Sequence, residues 1–139
     1  MKSRGFALVI LLAVSMLGVA QAQTIQMKAD VPFEFIVNGS TLPAGQYTVQ
    51  SFGSADGKSL MVRGADGRAL VNSIGLQSNT LAKQTKLVFH RYGNRYFLSQ
   101  IWVAGMEGGR ELPKSHRELE LAKDYPTTHQ DVDVVAALR

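Results

Sequence analysis

The chain has 139 residues, no cysteine and a formal net charge of +4. The lack of cysteine excludes disulfides, thiol catalysis, thiolate metal sites and lipid anchoring through a cysteine at a cleavage site. If Lys2 and Arg4 are removed with an export signal, 13 basic and 11 acidic residues remain. This near balance argues against a nucleic-acid partner.

The N-terminus has the pattern of an export signal. Lys2 and Arg4 precede an apolar run at residues 6–19, and Ala20-Gln21-Ala22 has the small-x-small form that signal peptidase cleaves. The run is short for a membrane span, which needs about 20 residues. We therefore expect cleavage between Ala22 and Gln23. The product would be secreted or periplasmic, with no stable membrane anchor.

The first half of the remaining chain alternates apolar and polar residues, which predicts strands at residues 24–30, 33–37 and 46–52. Asn38-Gly39 is typical of a turn between two of them. Asp56-Gly57 and Asp66-Gly67 follow ten residues apart, the spacing of an antiparallel meander. We interpret both pairs as plain turns, because too few carboxylates lie nearby for a calcium site.

The later segments are less regular. We expect a strand at residues 69–76, a surface loop at 77–84, and glycines that break the ladder near 105–109. Ser115 and Glu118 have capping-box spacing, which predicts a short helix at 115–123 that docks through Leu119 and Ala122. For residues 127–139 a late strand and a loose tail are both open, and we favour the loose tail.

Residues 87–103 form the most strongly patterned stretch and predict a hairpin that turns at Gly93-Asn94. A two-residue loop would pair Tyr92 with Arg95, Arg91 with Tyr96, and Phe89 with Leu98. Both faces are apolar, so we expect this hairpin near the centre of the sheet. The predicted core comprises Phe35, Val62, Phe89, Leu98 and Trp102.

Together these patterns predict an all-β fold, either an antiparallel β-sandwich or a partly open barrel of about seven strands, with a short C-terminal helix. We divide the chain into a signal peptide at 1–22, an antiparallel β domain at 23–112, and a short helix with a loosely held tail at 113–139.

Three blocks carry a resemblance to a known group. They are Pro32-Phe33-x-Phe35-x-Val37-Asn38-Gly39-x-x-Leu42-Pro43-Ala44-Gly45-x-Tyr47, the hairpin at 87–102, and Gly109-Arg110-Glu111-Leu112-Pro113-Lys114-Ser115. In this order the blocks resemble small exported proteins of soil bacteria, chiefly acidobacteria, that carry no assigned activity. The resemblance implies export and a compact β domain, and it implies no catalytic residue.

The hairpin tip is the candidate binding site, because Arg91, Tyr92, Arg95 and Tyr96 combine aromatic surface with hydrogen-bond donors. Local spacing places no serine or carboxylate beside His90, so we predict no catalytic residue and no enzyme activity.

His90, His116 and His129 do not share the short spacing of metal ligands, so we predict no metal and no cofactor. Two functions stay open. The protein is a non-catalytic binding or structural module of the cell envelope, with an envelope protein or carbohydrate as partner. Alternatively, it is a small barrel that encloses an apolar ligand around Phe35, Tyr47 and Trp102.

Overall fold

The computed structural model describes residues 25–53, 58–125 and 129–138. The signal segment at 1–22 and the first Asp-Gly pair, Asp56-Gly57, lie outside these residues. The strands are β1 Gln26–Val31, β2 Phe35–Val37, β3 Ser40–Leu42, β4 Gly45–Ser51, β5 Ser59–Arg63, β6 Arg68–Asn72, β7 Ile74–Leu81, β8 Lys86–Tyr92, β9 Arg95–Trp102, β10 Glu107–Glu111 and β11 Gln130–Leu138; the helix is α1 His116–Lys123.

All strands of the described residues join one nearly closed, barrel-like sheet, which confirms the all-β class with a short C-terminal helix. Neighbouring strands run in the order β3-β2-β9-β8-β11-β1-β4-β5-β6, and β10 pairs with both β9 and β7. Pairing is antiparallel except between β2 and β9, which run parallel. The two ends of this path approach each other where the Asn38 side chain donates to the Leu70 carbonyl, 2.9 Å away.

The described residues hold eleven strands instead of about seven, because the expected strand at 69–76 divides into β6 and β7, and β3, β10 and β11 are additional. Residues 77–81 are not a loop, since β7 extends to Leu81 and pairs with β10, and only residues 82–84 of the expected loop lie outside a strand. Residues 130–138 are not a loose tail, since β11 pairs with β8 on one side and β1 on the other. The exposed Asp131 and Asp133 mark the solvent face of a strand whose Val134 is buried.

The sheet interior holds the main core. Phe35, Val62, Phe89 and Leu98 are at most 4% exposed, as expected. The Phe35 ring meets the rings of Phe89 and Tyr47 edge to face, with centroids 5.3 and 4.9 Å apart. Phe35 therefore packs directly on the central hairpin, and Tyr47 packs on Phe35.

The central hairpin has the expected register at its tip and a bulge farther along. Phe89 lies opposite Leu98 but Val88 lies opposite Gln100, so Ser99 is an extra residue in β9. Beyond a bulge of one residue, each side chain of the strand points to the opposite face of the sheet from the one that strict alternation would give it. Ile101 consequently enters the core, and Trp102 lies half-buried on the outer face. The expectation that Trp102 is a core residue is therefore wrong.

Helix α1 covers the outer face of β2, β8 and β9. Leu121 and Ala122 pack against a small buried cluster of Ile36, Tyr92 and Phe97. Ala122 docks as expected, but Leu119 is 49% exposed and does not. The helix residue that enters the interface instead is Glu118, which is 3% exposed.

Candidate functional site

The hairpin tip pairs as the sequence predicts, with Tyr92 opposite Arg95 and Arg91 opposite Tyr96. Tyr92 nevertheless points away from solvent: it is 3% exposed, and its hydroxyl donates to Glu118 Oε2 at 2.9 Å. Burial and the neighbouring Glu118 carboxylate raise the pKa of Tyr92 well above its usual value. Tyr92 is therefore not part of an exposed binding patch.

The Tyr96 ring is also largely engaged within the protein. Phe33 stacks on it with centroids 3.8 Å apart and planes 13° apart, and the Arg91 guanidinium lies 5.6 Å from its centroid. Arg91 Nε additionally donates to the Gly93 carbonyl at 2.7 Å. What remains at the tip is a polar groove of about 290 Å³ lined by Arg95, Tyr96 and Arg117, among others.

A chain of buried polar side chains lies beneath helix α1. Glu118 Oε2 is 2.8 Å from His90 Nδ1, and His90 Nε2 is 2.9 Å from Ser99 Oγ. His90, Ser99 and Glu118 are each at most 6% exposed. Because a carboxylate oxygen accepts, Nδ1 carries a proton and donates to Glu118. Sequence reasoning missed this chain when it placed no serine or carboxylate near His90.

Local structure explains how these residues meet. The bulge brings Ser99 diagonally next to His90 on the outer face of the hairpin. Ser115 caps helix α1 by accepting from the Glu118 backbone N–H at 3.2 Å, as the capping-box spacing predicts. The Glu118 side chain does not reach back to the cap residue, and it turns inward to bind His90 and Tyr92.

The order Ser99, His90, Glu118 has the hydrogen-bond spacing of a nucleophile, a base and an orienting carboxylate. Catalysis would require a substrate to reach the Ser99 hydroxyl. Ser99 is only 2% exposed, so a substrate carbonyl has no approach to Oγ in this conformation. In this arrangement the chain instead holds helix α1 on the sheet through charge-assisted hydrogen bonds.

Two further polar groups adjoin the outer edge of this buried chain. The His129 ring contacts the His90 ring with centroids 3.7 Å apart, and His129 Nε2 lies 3.2 Å from Asp131 Oδ1. Burial is the main cause and the neighbouring His90 the second cause that lower the pKa of His129 below its usual value. His90, His129 and Asp131 are the group of described residues whose ligand atoms lie close enough to hold a metal ion.

The opposite end of the same hairpin borders a larger groove of about 600 Å³. Trp102 lines it, and its indole N–H donates to Gln100 Oε1 at 3.0 Å. The indole rests against Gly109, where an added Cβ would lie 2.9 Å from the ring. The remaining lining is mostly polar and includes Ser78, Thr80, Lys83, Gln84 and Lys86.

Comparisons of the chain with protein-family models, with curated proteins and with solved structures found no match. Within the described residues, no helix has the length and apolar character needed to cross a membrane.

Proposed function

We propose that this protein is an exported, non-catalytic binding module of the cell envelope and that its ligand is a carbohydrate held in the Trp102 groove. The observation that carries the proposal is the position of Trp102, which the Ser99 bulge turns out of the core into a groove of about 600 Å³. The signal pattern at residues 1–22 supports the export part of the proposal.

The chemistry of the groove suits a sugar. A sugar ring offers a C–H face, which packs on an indole ring, and hydroxyl groups that need hydrogen-bond partners. Trp102 provides the apolar surface, while Ser78, Thr80 and Gln84 provide hydroxyl and amide groups. Contact with Gly109 supports the indole from behind, so the aromatic surface is held in place before a ligand arrives.

The hairpin tip is the weaker candidate for the same function. Tyr92 is buried, and the ring of Tyr96 is covered by Phe33 and Arg91. Of the four predicted tip residues, Arg95 alone is both exposed and without a side-chain contact with its neighbours among the described contacts. The tip therefore offers charge without a free stacking surface.

The alternative of an enclosed apolar ligand has less support. It required Phe35, Tyr47 and Trp102 to share one pocket, but Phe35 and Tyr47 contact each other inside the barrel while Trp102 lies on the outer face. Tyr47 is also anchored by a hydrogen bond from its hydroxyl to the Pro43 carbonyl, 2.5 Å away.

The experiment is a screen of soluble oligosaccharides by glycan array, followed by calorimetric titration of the best binder. We expect Trp102→Ala to weaken binding at least about tenfold, because it removes the stacking surface. The matched control is Arg95→Ala with Arg117→Ala at the tip, which should leave the affinity unchanged. Thermal unfolding of each variant verifies that the fold is retained.

Three outcomes would refute the proposal. One is the absence of any oligosaccharide that binds above background. Another is a Trp102→Ala protein that remains folded and binds as tightly as the wild type. The third is a loss confined to the Arg95 and Arg117 double variant, which would place the ligand at the tip.

A further inference from the structure

We propose that His90, His129 and Asp131 form a binding site for a divalent transition-metal ion of the zinc type. The site is separate from the Trp102 groove and does not depend on the proposed carbohydrate function. It lies where β8 and β11 pair, at the rim of the buried chain beneath helix α1.

Strand pairing brings the three residues to one place. Asp131 lies directly opposite His90 in the register of β11 and β8. His129 lies two residues before Asp131, just outside β11, and its ring contacts the His90 ring with centroids 3.7 Å apart. As a result, one ligand atom from each of the three residues lies within 4.8 Å of the other two.

The distances from Asp131 to the two histidines are close to those of a loaded site. A tetrahedral zinc ion with bonds of about 2.0–2.1 Å holds its ligand atoms roughly 3.3 Å apart. His129 Nε2 and Asp131 Oδ1 are 3.2 Å apart, and His90 Nε2 and Asp131 Oδ1 are 3.8 Å apart. His129 is half-buried and Asp131 is exposed, so their side chains have more room to close the remaining gap than the buried His90.

His90 makes the hydrogen bond to a carboxylate that is typical of metal-binding histidines. Such a residue usually donates its second ring N–H to a carboxylate, which sets the tautomer and the ring orientation. His90 Nδ1 donates to Glu118 Oε2 at 2.8 Å, and Glu118 is itself held by the Tyr92 hydroxyl at 2.9 Å. His90 Nε2 is thereby left on the other side of the ring, 2.9 Å from Ser99 Oγ and 3.8 Å from Asp131 Oδ1, and a bound ion would replace the Ser99 contact. Glu118 is the positioning residue of this site.

The ligand set indicates the class of ion. Two imidazole nitrogens and one carboxylate oxygen suit Zn²⁺, Ni²⁺ or Cu²⁺, whereas Mg²⁺ and Ca²⁺ prefer oxygen ligands alone. The Asp131 side chain is 59% exposed, so an ion can enter from solvent past that carboxylate. Three protein ligands leave a fourth position for water or for an external ligand.

The test is calorimetric titration of ZnCl₂ into the untagged protein in a buffer without chelators, with a parallel titration of MgCl₂. We expect one equivalent of Zn²⁺ to bind with micromolar or tighter affinity and Mg²⁺ not to bind. Asp131→Ala and His129→Ala should each weaken zinc binding at least about tenfold. The matched control is His116→Ala, which removes an exposed histidine outside the cluster and should leave the affinity unchanged.

Asp131→Ala keeps the test decisive even if a histidine variant unfolds, because Asp131 is at the surface. The proposal is overturned if the wild type binds no Zn²⁺ at micromolar concentration. It is equally overturned if Asp131→Ala retains full affinity, or if His116→Ala loses as much affinity as His129→Ala.

Discussion

Removal of the hydrogen bond between Tyr92 and Glu118 tests most directly how helix α1 is held on the sheet. The Tyr92 hydroxyl donates to Glu118 Oε2 at 2.9 Å, and both residues are 3% exposed. A hydrogen bond to a charged group contributes about 1.5–3 kcal/mol to stability. Because Tyr92→Phe keeps the ring and its edge-to-face contact with Phe97, we expect the free energy of unfolding to fall by about that amount.

Replacement of the acceptor should cost more than replacement of the donor. Glu118→Ala leaves two buried donors, the Tyr92 hydroxyl and His90 Nδ1, without their partner. Each buried donor that loses its partner costs about 1–3 kcal/mol. The double variant combines Tyr92→Phe with Glu118→Ala, and in it the Tyr92 hydroxyl is already absent. Its loss of unfolding free energy should therefore be smaller than the sum of the two single losses by roughly 0.5–3 kcal/mol.

The assay is urea denaturation followed by far-UV circular dichroism, with the free energy of unfolding extrapolated to water. Glu120→Ala is the matched control, because Glu120 is an exposed glutamate on the same helix and pairs only with Lys123 at 3.1 Å among the described contacts. Its loss should cost no more than about 1 kcal/mol. If the costs of Tyr92→Phe and Glu118→Ala add to within about 0.3 kcal/mol, the two side chains do not interact and the reasoning fails.

The remaining predictions concern the core, a glycine and the N-terminus. Phe89→Ala should lower the free energy of unfolding by roughly 3–5 kcal/mol in the same assay, and a loss below about 1 kcal/mol would show that the ring is not in the core. Gly108→Ala should destabilise more than Gly105→Ala, since both have positive φ but only at Gly108 would a Cβ strike a neighbouring backbone carbonyl; equal thermal shifts would contradict this. Mass spectrometry of the exported protein should find Gln23 as its first residue, and an intact Met1 in the membrane fraction would argue for an uncleaved anchor.

The features that the sequence predicts correctly depend on short-range chemistry. Asn38 and Gly39 have the positive φ angles of a tight hairpin turn, and the second Asp-Gly pair lies in the turn that joins β5 to β6. Ser115 caps helix α1 as its spacing predicts. Each of these features is decided by residues that are at most a few positions apart, so periodicity and turn chemistry suffice.

The features that the sequence does not reveal depend on pairing between distant segments. The aspartates of residues 130–138 favour solvent on one face, but the strand forms because β8 and β1 both present an unpaired edge to it. The inward turn of Glu118 depends on donors from β8, 26 and 28 residues earlier in the chain. No local pattern near Glu118 separates a capping glutamate from one that binds a buried histidine.

The Ser99 bulge links both proposed sites to a single feature of the backbone. Strict alternation through β9 would place Trp102 in the core, and the Trp102 groove would lose its aromatic surface. The same extra residue places the Ser99 hydroxyl 2.9 Å from His90 Nε2, the ring atom that also lies 3.8 Å from Asp131 Oδ1. Bulges occur preferentially beside functional sites, because they re-aim side chains without breaking the sheet. Here the bulge turns the Trp102 ring outward at one end of the hairpin. Toward the other end of the hairpin, it places the Ser99 hydroxyl next to His90.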